Sequence, residues 1–383
     1  MPPVCLAVTP DRVETIYSIG SNRVRHLRDG LEAFPAMVDA ISHARHEVVL
    51  EMYWIGHDVV GERFRDALVA KALAGVSIFV TYDGVGSLGL FRNFWAPLIR
   101  AGGHVLENGP VAPWRRRFRL LSLPFRDHRK ILVVDGELAF CGGLNLALQW
   151  LPREQGGGGW RDDVLEIRGP AALELRTVAC GVWWRLGYRH PPISASPTPE
   201  VTPRVWVIAN RVVGRPNRRI RRTYLLAIRR ARLSIDISNP YFLPGPLFLR
   251  ALRAAHDRGV QVRLLVPGAS DVWLVNLAMR EVVAKLARHG IGVYSYQRSI
   301  LHAKTAILDR RFVVSGSHNL DVFSWRFDLE ANVVLDDAAF ATAMTRSFER
   351  DLCDATQLDS NARPPPWGLS LIAWLAARFR TYL

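Results

Sequence analysis

The sequence predicts an α/β fold of two pseudo-symmetric lobes, each a sheet sandwiched by helices, with one active site at the interface between them. Three observations predict it. Strand-like and helix-like apolar spacing alternates along both halves. The halves repeat each other: His128-Arg-Lys130-Ile-Leu-Val-Val-Asp135 returns 174 residues later as His302-Ala-Lys304-Thr-Ala-Ile-Leu-Asp309. A Pro- and Ser-rich stretch, 186–204, separates the two copies and reads as a linker.

The elements follow in order. Apolar spacing predicts a helix near 32–44 and a strand near 47–55. A helix near 61–74 stops at Gly75, and a strand follows near 76–82. The apolar run after Lys130 predicts a buried strand that turns at Asp135. The second half predicts helix 217–232, strand 233–238, helix 246–258 ending at Gly259, and strand 260–266. Helix 273–288, strand 291–296 and the run after Lys304 complete it. The division is therefore a first lobe over 1–185, the linker 186–204, a second lobe over 205–355 and a C-terminal amphipathic segment over 356–383. A chain of 383 residues with 49% hydrophobic content suffices for two domains, each with its own core, and excludes a disordered protein.

Charge narrows the partners. The net charge is +15 and the pI near 10.4, which predicts an anionic partner: nucleic acid or an anionic lipid surface. Four cysteines, Cys5, Cys141, Cys180 and Cys353, show neither metal-ligand spacing nor a disulfide framework. Three lie among apolar neighbours and read as core residues, which suits a reducing, cytoplasmic setting. The first 20 residues lack the pattern of a signal peptide, and no stretch reaches the roughly 20 apolar residues of a membrane span. A protein of this kind lies on a membrane rather than crossing it.

The repeated motif carries the chemistry. In an extended segment, His and Lys at i and i+2 share a face, so each copy presents one imidazole beside one ammonium. Gly142-Gly143-Leu-Asn145 and Gly316-Ser317-His-Asn319 trail the two copies, and an acid follows each: Asp162 and Glu330. Two ammonium groups and the amides of Asn145 and Asn319 can clamp a phosphodiester without a metal. One neutral imidazole can attack phosphorus; the other, protonated, can donate to the leaving alkoxide. Asp162 and Glu330 are the candidates to orient the imidazoles. Composition adds a separate hint: of 50 cationic residues only Lys71, Lys130, Lys285 and Lys304 are lysines, and two of these sit in the motifs. A compact ammonium, not a planar guanidinium, is required there. Lys beside His also argues against a metal site.

These motifs resemble the HxKxxxxD signature of the phospholipase D superfamily, with its trailing GGxN and GSxN, over about residues 20–355. The chain is most similar to bacterial cardiolipin synthases of the short type without N-terminal transmembrane helices. Asp83-Gly-Val-Gly-Ser87, Asp127-His128-Arg-Lys130, Asn239-Pro-Tyr241-Phe-Leu-Pro244, Asn319-Leu-Asp321 and Glu330-Ala-Asn332 carry that similarity. Phe323 departs from it, standing where many members have Arg. The resemblance implies a bilobal α-β-α sandwich of the phospholipase D type, a covalent phosphohistidine and no cofactor. It implies catalytic roles for His128, Lys130, Asp135, His302, Lys304 and Asp309, with His128 as nucleophile by analogy. Asp135 and Asp309 suit a structural salt bridge better than a chemical role. The expected reaction is transfer of a phosphatidyl group from phosphatidylglycerol to a second phospholipid, giving cardiolipin, with phosphatidylethanolamine as a possible co-substrate. The alternatives are a hydrolase or transphosphatidylase of the same type, a nuclease of the superfamily, and a non-catalytic membrane-binding protein.

Three segments predict membrane contact, on the cytoplasmic face of the cell membrane. Residues 113–126 place Trp114, Arg115, Arg116 and Phe118 together just before the first motif. Nine arginines and no acid fall between Arg211 and Arg232. Trp367 and Trp374 share a face of a C-terminal amphipathic stretch that follows Pro364-Pro-Pro366. This aromatic–basic pattern favours lipid over nucleic acid as the partner.

Overall fold

A computed structural model describes residues 15–91, 93–114, 118, 120, 125–188, 203–210, 218–271 and 273–359. The first lobe runs β1 (Tyr17–Ile19), β2 (Asn22–Arg28), α1 (Asp29–Ser42), β3 (Glu47–Met52), α2 (Val59–Leu73), β4 (Ser77–Asp83), α3 (Ala96–Arg100), β5 (His104–Asn108), β6 (Ile131–Val134), β7 (Leu138–Gly142), β8 (Asp163–Arg168) and α4 (Pro170–Arg185). The second runs β9 (Val205–Ala209), α5 (Arg218–Arg230), β10 (Ser234–Ser238), α6 (Pro246–Asp257), β11 (Gln261–Pro267), α7 (Trp273–Arg288), β12 (Gly292–Tyr296), β13 (Thr305–Leu308), β14 (Phe312–Gly316), α8 (Val322–Arg326), β15 (Ala331–Asp336), α9 (Ala338–Cys353) and β16 (Ala355–Gln357).

Each lobe holds one eight-stranded mixed sheet. The orders are β1-β2-β8-β7-β6-β3-β4-β5 and β16-β12-β11-β10-β13-β14-β15-β9. The repeat extends to register. β3, β4 and β5 run parallel, as do β10, β11 and β12. The motif strand lies antiparallel beside them in both lobes, with Glu51 opposite Ile131 and Ser238 opposite Thr305. The regular strands begin one residue after each motif Lys, so the His-x-Lys segments themselves are extended chain projecting beyond the sheet edge.

The lobes do not have wholly separate cores, contrary to expectation. Each sheet covers its outer face with its own helices. Phe34, Phe64 and Leu68 fill that layer in the first lobe; Tyr224, Ile228 and Phe248 do so in the second. The inner faces share one apolar core. It joins Val49, Ile131 and Leu165 to Ile307, Val313 and Val333, with Leu175 and Trp183 of α4 and Phe340 and Phe348 of α9 packed in. A strand buried on both faces needs a second apolar layer, and the partner lobe supplies it here. Cys141 and Cys180 are buried in that shared layer. Cys353 is exposed at the end of α9, and Cys5 lies outside the described residues. Most of 186–204 also lies outside them. No described helix is long and apolar enough to cross a membrane.

Candidate active site

The two His-x-Lys segments meet at the lobe interface because each pairs its backbone with the other lobe. His128 N–H donates to Leu329 O at 2.9 Å, and Leu329 N–H donates to Arg126 O at 2.8 Å. His302 N–H donates to Arg161 O at 2.7 Å, and Arg161 N–H to Ile300 O at 2.9 Å. Leu329 and Arg161 immediately precede Glu330 and Asp162. The ladders therefore carry each carboxylate across the interface. His128 Nδ1 lies 3.0 Å from Glu330 Oε1, and His302 Nδ1 lies 2.6 Å from Asp162 Oδ2. Both expected orienting acids are in place, each serving the histidine of the opposite lobe.

The carboxylates are themselves held. Trp150 Nε1 donates to Asp162 Oδ2 at 3.0 Å, and Asp163 N–H donates to its Oδ1 at 2.9 Å. On the other side the Ser317 hydroxyl donates to Glu330 Oε2, and Asn210 Oδ1 accepts the Glu330 N–H at 2.6 Å. The difference between Gly143 and Ser317 follows from this. A Cβ at Gly143 would stand 2.2 Å from Asp162 Oδ1, so only glycine fits where the shorter acid approaches. The longer Glu330 leaves room for a serine that then donates to it. Ser317 lies inside the trailing motif, so its position was visible in sequence although its role was not. Trp150 carries no such signal.

The ammonium groups lie under the imidazoles. Lys130 Nζ donates to His128 O at 2.6 Å and sits 4.8 Å from the centre of the Tyr53 ring. Lys304 Nζ donates to His302 O and lies 2.8 Å from His302 Nδ1. Tyr53 packs edge-on against His128 with ring centres 4.8 Å apart, while Trp150 and Trp160 pack against His302 at 5.3 and 5.7 Å. Trp160 directly follows the glycine run Gly156–Gly159. Arg129 turns away from the cleft, as expected, into a buried cluster with Glu51 and Asp127.

Burial sets the protonation states. It lowers Lys130 to about 7 and Lys304 to about 8, against the pull of Glu330 and Asp162. Burial, then Lys130, Lys304 and His302, drives His128 well below its usual value. His302 is also lowered, by burial and then Lys304, but Asp162 and Asp271 oppose that shift. Each imidazole is thus held toward its neutral form by burial and by the lysines around it. Asn145 Oδ1 accepts the Trp54 N–H at 3.1 Å, which turns its amide NH2 away from that contact. Asn319 Oδ1 is buried with no hydrogen-bond partner among the described residues.

Asp135 and Asp309 stand apart from this centre, at the far ends of β6 and β13. Neither forms the expected salt bridge with a described residue. Each adopts a left-handed backbone, with φ of 52° and 53°, and uses its carboxylate to gather N–H groups of the loop before the adjoining strand. Asp135 accepts from Arg45, His46 and Glu47, and Asp309 from Arg232, Leu233 and Ser234. Uncapped amides outcompete a mobile surface cation for such a carboxylate. The motif's last residue therefore ties strand to strand.

Of the expected membrane contacts, Trp114 is 73% exposed and Phe118 partly buried. Arg115, Arg116, Trp367 and Trp374 lie outside the described residues. Among the described residues, no three His, Cys, Asp or Glu side chains are grouped to hold a metal ion.

Comparison with known proteins agrees with this geometry. A family profile described as "Cardiolipin synthase, PLD-like domain" matches residues 224–352. Among similar curated proteins, cardiolipin synthase 2 of Bacillus anthracis is 31% identical over 357 residues, covering 91% of this chain and 68% of the relative. Cardiolipin synthase A of Pseudomonas aeruginosa is 31% identical, covering 90% and 70%. Cardiolipin synthase of Geobacillus thermodenitrificans is 33% identical, covering 87% and 66%. The chain thus spans about two thirds of the length of these relatives. Among solved structures, phosphatidylserine synthase of Haemophilus influenzae superposes with a TM-score of 0.71 at 14% identity, covering 94% of both chains, which shows the shared fold. With both motifs intact at one interface and this similarity along most of its length, the chain belongs to the cardiolipin synthase family of phospholipase D-like phosphatidyltransferases.

Proposed function

We propose that the chain makes cardiolipin by transferring the phosphatidyl group of phosphatidylglycerol to the hydroxyl of a second phospholipid, through a phosphohistidine on His128. One observation carries the shared site: both imidazoles hold a carboxylate at Nδ1 across the interface. The choice of His128 as nucleophile follows the resemblance of the first motif to that of the family. With Nδ1 engaged, His128 Nε2 keeps the lone pair that attacks phosphorus. A P–N bond forms, the P–O bond to glycerol breaks, and protonated His302 gives its proton to the departing alkoxide. The arriving phosphodiester favours that protonated state, because a neighbouring negative charge raises an imidazole pKa. In the second half His302 takes the proton of the acceptor hydroxyl, the new P–O bond forms, and His128 is released. Lys130, Lys304, Asn145 and Asn319 hold the non-bridging oxygens throughout. The protein works at the membrane surface, where Trp114 and Phe118, with Arg115 and Arg116, contact anionic phospholipid on the cytoplasmic face. Trp367 and Trp374 add a C-terminal contact.

The test is purified protein with labelled phosphatidylglycerol vesicles, products identified by mass. Cardiolipin is expected, and phosphatidic acid alone would make the protein a hydrolase. His128→Asn and His302→Asn are each expected to lower turnover at least 1000-fold without unfolding the protein, on the order expected for losing a nucleophile or its acid–base partner. Near-parental turnover by either variant refutes the shared site. Cleavage of single-stranded DNA in a parallel incubation would favour a nuclease.

A further inference from the structure

One face of α5 carries cations with no counter-charge. Arg219, Arg222, Arg229 and Arg230 are exposed along it, with the exposed Leu226 among them, and Leu233 is 65% exposed just beyond its end. These positions recur every three or four residues, so they form one row along the helix. The opposite face, through Ile220, Tyr224 and Ile228, is buried in the second lobe's outer core. No acid occurs from 201 to 235. The four arginines form no ion pair with a described residue, whereas Arg65, Arg263 and Arg311 each find a carboxylate. On the neighbouring α6, Arg250 is also exposed, and Asp257 is engaged by His289 at 2.8 Å.

The row is too long for one phosphate. From Arg219 to Arg230 the helix advances about 16 Å at about 1.5 Å per residue. Leucines interleaved with guanidiniums suit a surface that offers phosphates and an apolar phase together, which a bilayer does and a nucleic-acid backbone does not. The row is also linked in sequence to the site. Asn210, at the end of β9, holds the Glu330 N–H, and only residues 211–217 separate it from the first turn of α5.

We propose that the exposed face of α5 is a docking surface for anionic phospholipid headgroups, laying the second lobe on the bilayer with the cleft beside it. The proposal rests on the phosphatidyl-transfer reading for its choice of partner, and its test does not depend on turnover. Vesicle co-sedimentation uses the full chain in a His302→Asn background, with phosphatidylglycerol–phosphatidylcholine vesicles and phosphatidylcholine vesicles as the two probes. At about fivefold per guanidinium near an anionic surface, R219Q/R222Q/R229Q is expected to weaken binding to the anionic vesicles about 100-fold. R219K/R222K/R229K, which keeps the charge, is expected to stay within about threefold of the parent. Phosphatidylcholine binding is expected not to change, and the glutamine triple made in the wild-type chain, with His302 intact, is expected to turn over detergent-dispersed phosphatidylglycerol at the wild-type rate. Unchanged affinity for anionic vesicles overturns the proposal, as does equal loss in the lysine and glutamine triples. With duplex DNA as a further probe, a loss confined to DNA binding overturns it too and makes the row a nucleic-acid surface. If the parent never processes phosphatidylglycerol while the vesicle result holds, the function reading fails and the docking surface stands.

Discussion

His318 illustrates how much a single side chain can diverge within a duplicated motif. Its counterpart 174 residues earlier is Leu144, an ordinary core residue. His318 is fully buried against Trp325 at 4.1 Å, both ring nitrogens lack a partner among the described residues, and burial lowers its pKa to about 3. Buried polar atoms without partners cost about 1–3 kcal/mol. His318→Leu is therefore expected to raise unfolding stability in urea by about that amount while turnover stays within twofold, a result read from paired denaturation and activity curves. The motif lysines set the pH response. As pH rises through about 7 to 8, Lys130 and Lys304 lose the protons that attract the phosphodiester. Then kcat/KM is expected to fall further across that range, beyond the loss that begins as His302, lowered by burial and Lys304, gives up the proton it must donate. The acid limb lies well below the usual imidazole value because burial and both lysines suppress His128 protonation. A profile flat from pH 7 to 9 would contradict the assigned ammonium clamp. The sequence reading reached these histidines, lysines and acids because duplication marks them. It did not reach Trp150 or Tyr53, which act through ring packing and one hydrogen bond and have no repeated counterpart to mark them.

At the level of strands and turns, the two copies of the motif are alike where backbone must be tied and different where a carboxylate must fit. Asp135 gathers three N–H groups from the loop into β3, so Asp135→Ala leaves that mostly exposed turn without its acceptor. It is expected to cost about 1–2 kcal/mol of stability yet leave kcat per folded molecule within tenfold, unlike loss of either histidine. Gly143→Ser, which copies the second lobe into the first, is expected to reduce kcat at least 100-fold, because its Cβ falls 2.2 Å from Asp162 Oδ1 and must displace the acid that orients His302. Stopped turnover in a folded variant, checked by circular dichroism, distinguishes this from collapse. The predicted strands and helices lie within a few residues of those found because Gly75 and Gly259 stop helices and apolar runs mark buried strands. The salt bridge expected of Asp135 and Asp309 failed because residue type alone does not distinguish a carboxylate meeting a cation from one meeting open amides.

Across the molecule, the interface is as much core as cleft. Behind the site, Arg161 reaches Asp351 of α9 at 2.9 Å and Asp163 at 2.8 Å, Arg28 joins Asp351 at 2.6 Å, and Thr305 donates to Asp163 at 2.7 Å. These buried ion pairs span the lobes directly beside Asp162, and buried pairs of this kind fix one arrangement more than they add stability. With a shared apolar layer as well, the chain is expected to unfold in a single transition whose midpoint agrees between far-ultraviolet dichroism and tryptophan fluorescence. Two separated midpoints would mean that the lobes stand alone. Sequence predicted two units joined by a linker and could not show that they share a core, because an apolar strand looks the same whether its second face meets a helix or another sheet. The crossed histidine–carboxylate pairs have one more consequence. A ribosome that has finished only the first half has made an imidazole lacking its acid and an acid lacking its imidazole. Under the proposed mechanism that half is expected to be inert until the second half folds against it.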